Sequence, residues 1–68
     1  MKRLRINGVE EEVAVTTVAE LLVTRGVDPA ARFLAVAVNG SVIRRSEWPC
    51  KSLAPGDEVE IVRPFSGG

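Results

Sequence analysis

Lys2-Arg3-Leu4-Arg5-Ile6-Asn7-Gly8-Val9-Glu10-Glu11-Glu12-Val13-Ala14-Val15 is the stretch whose reading decides the fold. Leu4 and Ile6 fall on one face and Arg3 and Arg5 on the other, the period-two pattern of a half-buried strand. Asn7-Gly8 is the residue pair that tolerates positive φ in a type I′ turn, so Val9 to Val15 is expected to return antiparallel to the first strand. Strict alternation then sets Val9, Glu11, Val13 and Val15 on the core side. Glu11 can stand among apolar residues only if that end of the strand overhangs the core or carries a bulge, and overhang is expected. The run Glu10-Glu11-Glu12 reads as a solvated edge that discourages pairing with other chains, with an acidic docking patch as the functional alternative.

Beyond the hairpin, Thr17 and Glu20 have capping-box spacing, which starts a helix at Val18. Val18, Leu21, Leu22 and Arg25 share one face. Gly26 is placed to end the helix, with Val27 closing the cap. Asp28-Pro29-Ala30-Ala31 makes a turn. Phe33 to Val38 is a strand with bulky Leu34, Val36 and Val38 on one face and small Ala35 and Ala37 on the other, so the bulky set should meet the helix. Asn39-Gly40 is a second hairpin signal, and Ser41-Val42-Ile43 is a short strand beyond it. Ser46-Glu47-Trp48 reads as one helical turn stopped by Pro49, with Trp48 folding onto the core. Leu53 is expected to anchor the irregular stretch that follows. After the Ala54-Pro55-Gly56-Asp57 turn, Glu58 to Arg63 alternates, with Val59 and Ile61 facing in and Glu60 and Val62 facing out. Strand, strand, helix, strand, short strand, strand predicts an α+β chain of β-grasp (ubiquitin-like) type. The expected sheet is mixed, of four to five strands, with the helix across one face and the first and last strands parallel at its centre. A split βαβ arrangement is the alternative, but its usual two helices do not fit a chain with one.

Composition narrows the function. A chain of 68 residues makes one small domain that buries about 60% of its unfolded surface and has about 3–5 kcal/mol to spare, which leaves no room for a deep catalytic cleft. Nine basic and nine acidic residues cancel, so no long-range field points to nucleic acid or an anionic membrane. No apolar run approaches a spanning helix, and the start of the chain reads as a strand instead of a signal peptide, so a cytoplasmic protein is expected. With no His and a single Cys, neither a metal site nor His-based catalysis is expected. Cys50, next to Lys51 only, reads as a small filler in a loop and not as a redox thiol. Arg44, Arg45 and Arg63 read as solvated cations, the functional alternative being to orient a partner's acidic surface. Trp48 reads as structural.

The last strand runs straight into Pro64-Phe65-Ser66-Gly67-Gly68. Residues 1–63 are therefore expected to form the β-grasp domain and 64–68 a flexible tail that holds the Gly68 carboxylate out in water. With no side chain on Gly67 or Gly68, the tail fits a slot too narrow for other residues. A frayed terminus of no consequence is the bland reading. The face of the sheet away from the helix would present Ala35, Ala37 and Val62, with Arg63 at its end, as a partner-docking surface beside that tail.

Taken together, Leu34-Ala35-Val36-Ala37-Val38-Asn39-Gly40, Arg45-Ser46-Glu47-Trp48, Gly56-Asp57, Val59-Glu60-Ile61 and the closing Gly67-Gly68 resemble the ThiS family, the ubiquitin-like sulfur carriers of thiamine biosynthesis. The resemblance covers nearly the whole chain. It departs at Pro64-Phe65, where aliphatic residues are more usual. A Pro before Ser-Gly-Gly is closer to the small subunit of molybdopterin synthase (MoaD-like). The resemblance implies a protein co-substrate and not an enzyme. An E1-like adenylating enzyme (ThiF-like) would convert the Gly68 carboxylate to an acyl-adenylate with ATP and Mg²⁺, both belonging to that partner. An upstream cysteine desulfurase or sulfurtransferase would supply sulfur for a terminal thiocarboxylate, and thiazole synthase (ThiG-like) would accept it. A protein modifier or tRNA-thiolation carrier using the same Gly68, or a plain binding module that needs no Gly-Gly, would share the fold. Covalent conjugates in extract would mark the modifier, and activity that survives loss of Gly68 the binding module.

Overall fold

The computed structural model describes residues 1–63. The first hairpin pairs β1 (Lys2–Ile6) with β2 (Val9–Val13) in the register Leu4↔Glu11 and Ile6↔Val9. Asn7 and Gly8, at φ 50 and 83, supply the two positive φ angles of the type I′ turn. Helix α1 (Val18–Thr24) follows, then β3 (Ala35–Val38), β4 (Ser41–Ile43), a 3₁₀ turn (Arg45–Glu47) and β5 (Glu58–Val62). The strands stand in the order β2-β1-β5-β3-β4, β5 being parallel to β1 and antiparallel to β3. This is the β-grasp arrangement expected from the sequence, with the first and last strands adjacent and parallel.

α1 forms for local reasons. The Glu20 N–H donates to Thr17 Oγ1 at 3.3 Å while Glu20 Oε1 accepts from the Thr17 N–H at 3.2 Å, completing the capping box. The two N–H groups ahead of Glu20 reach across the fold, Val18 to the Lys51 carbonyl and Ala19 to that of Trp48. At the other end Gly26, at φ 73, donates to the Val23 carbonyl and Val27 donates to that of Leu22, the paired bonds of a Schellman motif. Seven residues are too few for a helix to persist alone. Its stability comes from fully buried Val18, Leu21 and Leu22, each contributing about 1.5–3 kcal/mol relative to exposure. They pack with Leu4, Ile6, Val36, Val38, Val59 and Ile61 of the sheet, Leu34, Trp48 and Leu53 in one core.

The structure corrects several sequence boundaries. β2 stops at Val13 and not Val15, because the next residues leave the β1 ladder. The Thr16 carbonyl accepts from the Leu53 N–H at 2.9 Å, and Thr17 bridges to Ser52. The strand expected from Phe33 starts at Ala35: Phe33 lies in a turn at φ 61, although Leu34 is buried as expected. The helical turn before Trp48 begins one residue early, at Arg45. β5 ends at Val62 rather than Arg63. Val9 faces the core side but lies beyond it, 59% exposed, so the overhang is at the turn end of β2. Glu11, partly buried, is neutralised by Arg25 at the end of α1, whose Nη1 donates to both carboxylate oxygens at 2.8 and 2.9 Å.

Candidate functional site

β5 carries the chain from the core to Arg63, and two Asn-Gly turns hold it. Asn39 Oδ1 accepts from the Glu58 N–H at 2.9 Å, at the start of β5. Asn7 Oδ1 accepts from the Ile61 N–H at 2.8 Å, near its end. The second bond continues an interrupted ladder. Arg5 and Asn7 donate to the Asp57 and Val59 carbonyls, and in a longer parallel pair the Ile61 N–H would bond the main-chain carbonyl of residue 7. The chain turns at Asn7, and its side chain supplies the acceptor. Asp57 braces the start of β5, accepting from the Ala54 N–H at 2.8 Å and the Asn39 amide at 3.0 Å. Burial alone would raise the Asp57 pKa. The Ala54 N–H, the Asn39 amide and the charges of Lys51 and Lys2 outweigh it, so the carboxyl is held below its ordinary value.

The outer face of the sheet is divided. On the β2–β1 side, Arg3 lies 3.7 and 3.8 Å from Glu10 and Glu12, and Arg5 lies 3.5 Å from Glu10. A cleft of ≈ 390 Å³ on this side is lined by Arg3, Arg5, Glu10, Asn39, Pro55 and Glu58, and its arginines already face Glu10. On the other side the register places Ala35 opposite Val62, and Ala37 between Val42 of β4 and Glu60 of β5. Val62 is 59% and Val42 77% exposed. The expected docking residues Ala35, Ala37 and Val62 thus lie together next to exposed Arg63. Val42 belongs with them and was missed, because a three-residue strand shows too little alternation to assign its faces.

Pro64, Phe65, Ser66, Gly67 and Gly68, the expected tail, lie outside the described residues. Arg44 and Arg63 are exposed as expected. Arg45 is different: its guanidinium donates to the carbonyls of Pro29 and Ala31 and lies 4.7 Å from the centroid of the Trp48 ring. It is a brace for the 29–34 loop and not a cation waiting for a partner. Trp48 is buried, and its Nε1 donates to the Ile43 carbonyl at 2.9 Å, the structural role expected of it. Cys50 is exposed in the turn after the 3₁₀ segment, so it does not fill space in the core. Among the described residues, no helix is long and apolar enough to cross a membrane.

The model of the ThiS family matches residues 4–68. The fold is similar to the crystal structure of a thiamine biosynthesis protein (ThiS) from Geobacter metallireducens, with a TM-score of 0.78 and 30% identity over 97% of this chain and 99% of that one. It is equally similar to an NMR solution structure of a thiamine biosynthesis protein from the same organism, where 97% of this chain and 87% of that one are covered at 30% identity and a TM-score of 0.78. None of the curated proteins compared matches the chain.

Proposed function

The chain belongs to the ThiS family, and from that premise we propose that it is a sulfur carrier for thiamine biosynthesis whose reacting group is the carboxylate of Gly68. The observation that carries the reading is that the family match runs through the final Gly67-Gly68 and not only through the domain. A terminal carboxylate is ionised at neutral pH and is a poor electrophile. An E1-like adenylating partner activates it with MgATP: a carboxylate oxygen attacks the α-phosphorus, pyrophosphate leaves, and the acyl-adenylate forms. The terminal sulfur of a persulfide on a cysteine desulfurase or sulfurtransferase then attacks the acyl carbon as AMP departs, and thiol reductant cleaves the resulting acyl disulfide, leaving a thiocarboxylate on the chain and a free thiol on the donor. Thiazole synthase takes up that sulfur. The chain is a co-substrate throughout, and its own contribution is presentation. β5 leads into a sequence ending in two side-chain-free residues that suit a narrow site, while Ala35, Ala37, Val42 and Val62, with Glu60 and Arg63 beside them, offer the partner a largely apolar surface to dock on.

The test is intact mass spectrometry after incubation with the adenylating enzyme, MgATP and a sulfur donor, looking for one oxygen replaced by sulfur in the C-terminal fragment. Deleting Gly68 should abolish charging and leave stability within about 0.5 kcal/mol. Adding a residue after Gly68 should do the same, by moving the carboxylate past the adenylation centre. If neither the thiamine nor the molybdopterin adenylating enzyme charges the intact chain, the carrier reading is wrong.

A further inference from the structure

We infer that Phe33 is the anchor by which this chain engages its activating partner, displayed by a clamp of Arg45 on Trp48, and that the partner receives it in an apolar pocket rimmed by carboxylates. The inference rests on the carrier reading above and adds the residue and the partner chemistry to it.

Phe33 is 80% exposed, and its φ of 61 lies in the left-handed region. A bulky residue is a genuine outlier there. The other two non-glycine residues with positive φ, Asn7 and Asn39, are of the type that tolerates it and sit in Asn-Gly turns. Neither packing nor backbone preference therefore accounts for an aromatic ring at position 33. Such a conformation persists only where its surroundings over-determine it, and Arg45 supplies the constraint. Its Nη2 donates to the Ala31 carbonyl at 2.6 Å and to that of Leu34 at 3.5 Å, one on each side of Phe33. The guanidinium is stacked on Trp48, which is 2% exposed and tied to β4 through its indole N–H. The loop is thereby fixed to the core while its one large apolar side chain is left in water.

The position suits a partner that threads the tail. Phe33 stands two residues before Ala35, the register partner of Val62, where the apolar half of the sheet face meets the departing chain. Arg32 adjoins Phe33 in the chain, and Arg44 and Arg63 directly follow Ile43 and Val62, the register partners of Val36 and Ala35; all three are exposed. Among the described residues they form no ion pair, unlike Arg3, Arg5 and Arg25. Three guanidinium groups carried at this end of the sheet, beside an apolar anchor, select a complementary surface of carboxylates around an apolar pocket. They do not select the nucleotide, because the five residues after Arg63, of which Gly68 is the last, would span about 17 Å when extended. With Gly68 at the reaction centre, the anchor and its arginines meet the mouth of the channel and not the phosphates.

The decisive variant is Phe33→Asn, which accepts the backbone angle and removes the ring. With the adenylating enzyme and MgATP, the KM for the carrier should rise about tenfold or more with kcat unchanged, while the thermal midpoint stays the same or increases. Arg45→Ala should speed amide exchange across Arg32–Ala35 and raise KM as Phe33→Asn does. In the Phe33→Asn background it should raise KM no further, whereas a merely structural Arg45 would add its own effect. If wild type is never charged, the carrier reading fails and this inference with it. Should wild type be charged and Phe33→Asn show an unchanged KM, only this inference is overturned. Unfolding of Phe33→Asn, or Phe33-dependent self-association in sedimentation, would also overturn it, by making the ring a core residue or a contact between copies.

Discussion

Substituting Asn7 tests whether its side chain is the last rung of the parallel ladder that fixes β5. Asn7→Ala leaves the partly buried Ile61 N–H without its acceptor, a loss of about 1–3 kcal/mol. It also places a residue with no local hydrogen bond at φ 50, at about 1–2 kcal/mol. Asn7→Gly removes the acceptor but not the conformational freedom, so it adds only the entropy cost of glycine, about 0.5–1 kcal/mol, to the lost bond. Asn7→Asp keeps both an oxygen at that position and tolerance of the angle, and should be close to neutral. The expected order of destabilisation is Asp, then Gly, then Ala. In a domain with about 3–5 kcal/mol in total, the alanine variant should be substantially unfolded at room temperature. Urea titration followed by the fluorescence of the single, buried Trp48 measures all three, and the Ile61 amide should exchange faster in the glycine and alanine variants. Wild-type midpoints for both Gly and Ala would refute the reasoning, since the side chain would then carry no share of the ladder.

Three further outcomes are expected. Val62→Asp should weaken binding to the adenylating enzyme about tenfold and shift unfolding by less than about 1 kcal/mol, as Val62 is on the outer face and mostly exposed; unchanged affinity would remove that face from the docking surface. Because the Asp57 pKa is lower folded than unfolded, its contribution is complete above the ordinary value of 3.8 and is lost as pH falls through the folded value. Asp57→Asn should therefore flatten the acid limb of stability against pH, and identical limbs in the two proteins would contradict this. Cys50→Ser should leave sulfur loading intact, since the thiol is exposed in a turn and has no place in the proposed transfer; loss of loading in a folded variant would give it one.

The parts of the fold that were legible in the sequence are those set by local periodicity. Leu4 and Ile6, Val36 and Val38, and Val59 and Ile61 each alternate because one face of their strand is buried. Thr17, Glu20, Gly26 and Val27 declare both ends of α1 through bonds made within a few residues. The illegible parts depend on contacts from far along the chain. β2 could not be seen to stop at Val13, because Leu53 and Ser52 draw Thr16 and Thr17 away. Phe33 looked like the first residue of an apolar strand, because the Arg45 brace that holds its loop comes from beyond the next hairpin. The same distance hid the roles of Arg45, of Arg25 beside Glu11, and of Asn7 and Asn39 on β5. In the candidate site, Ala35, Ala37 and Val62 were readable from alternation, whereas Val42 and Phe33 required the fold.

The division of the outer sheet face connects this architecture to sulfur transfer. Exposed pairs such as Arg3–Glu10 contribute about 0–1 kcal/mol, so the charged half is explained poorly by stability and better by protection. β2 is an edge strand, and Glu10 and Glu12 make it an unattractive template for a second chain. β4, the other edge, is only three residues long. With both edges guarded, the outer faces of β3, β4 and β5 keep Ala35, Val42 and Val62 exposed beside Glu60, and β5 also leads into the Gly-Gly tail. The proposed docking face and Arg63, the last described residue, are therefore held in one register. A slip of β5 by one residue would turn Val62 toward the core and move Arg63, from which the proposed reactive tail continues, by about 3.3 Å. Asn39 at one end of β5 and Asn7 at the other fix that register with side-chain bonds no neighbouring strand supplies, so the residues that stabilise the last strand also set where Arg63 stands relative to Ala35, Ala37 and Val62.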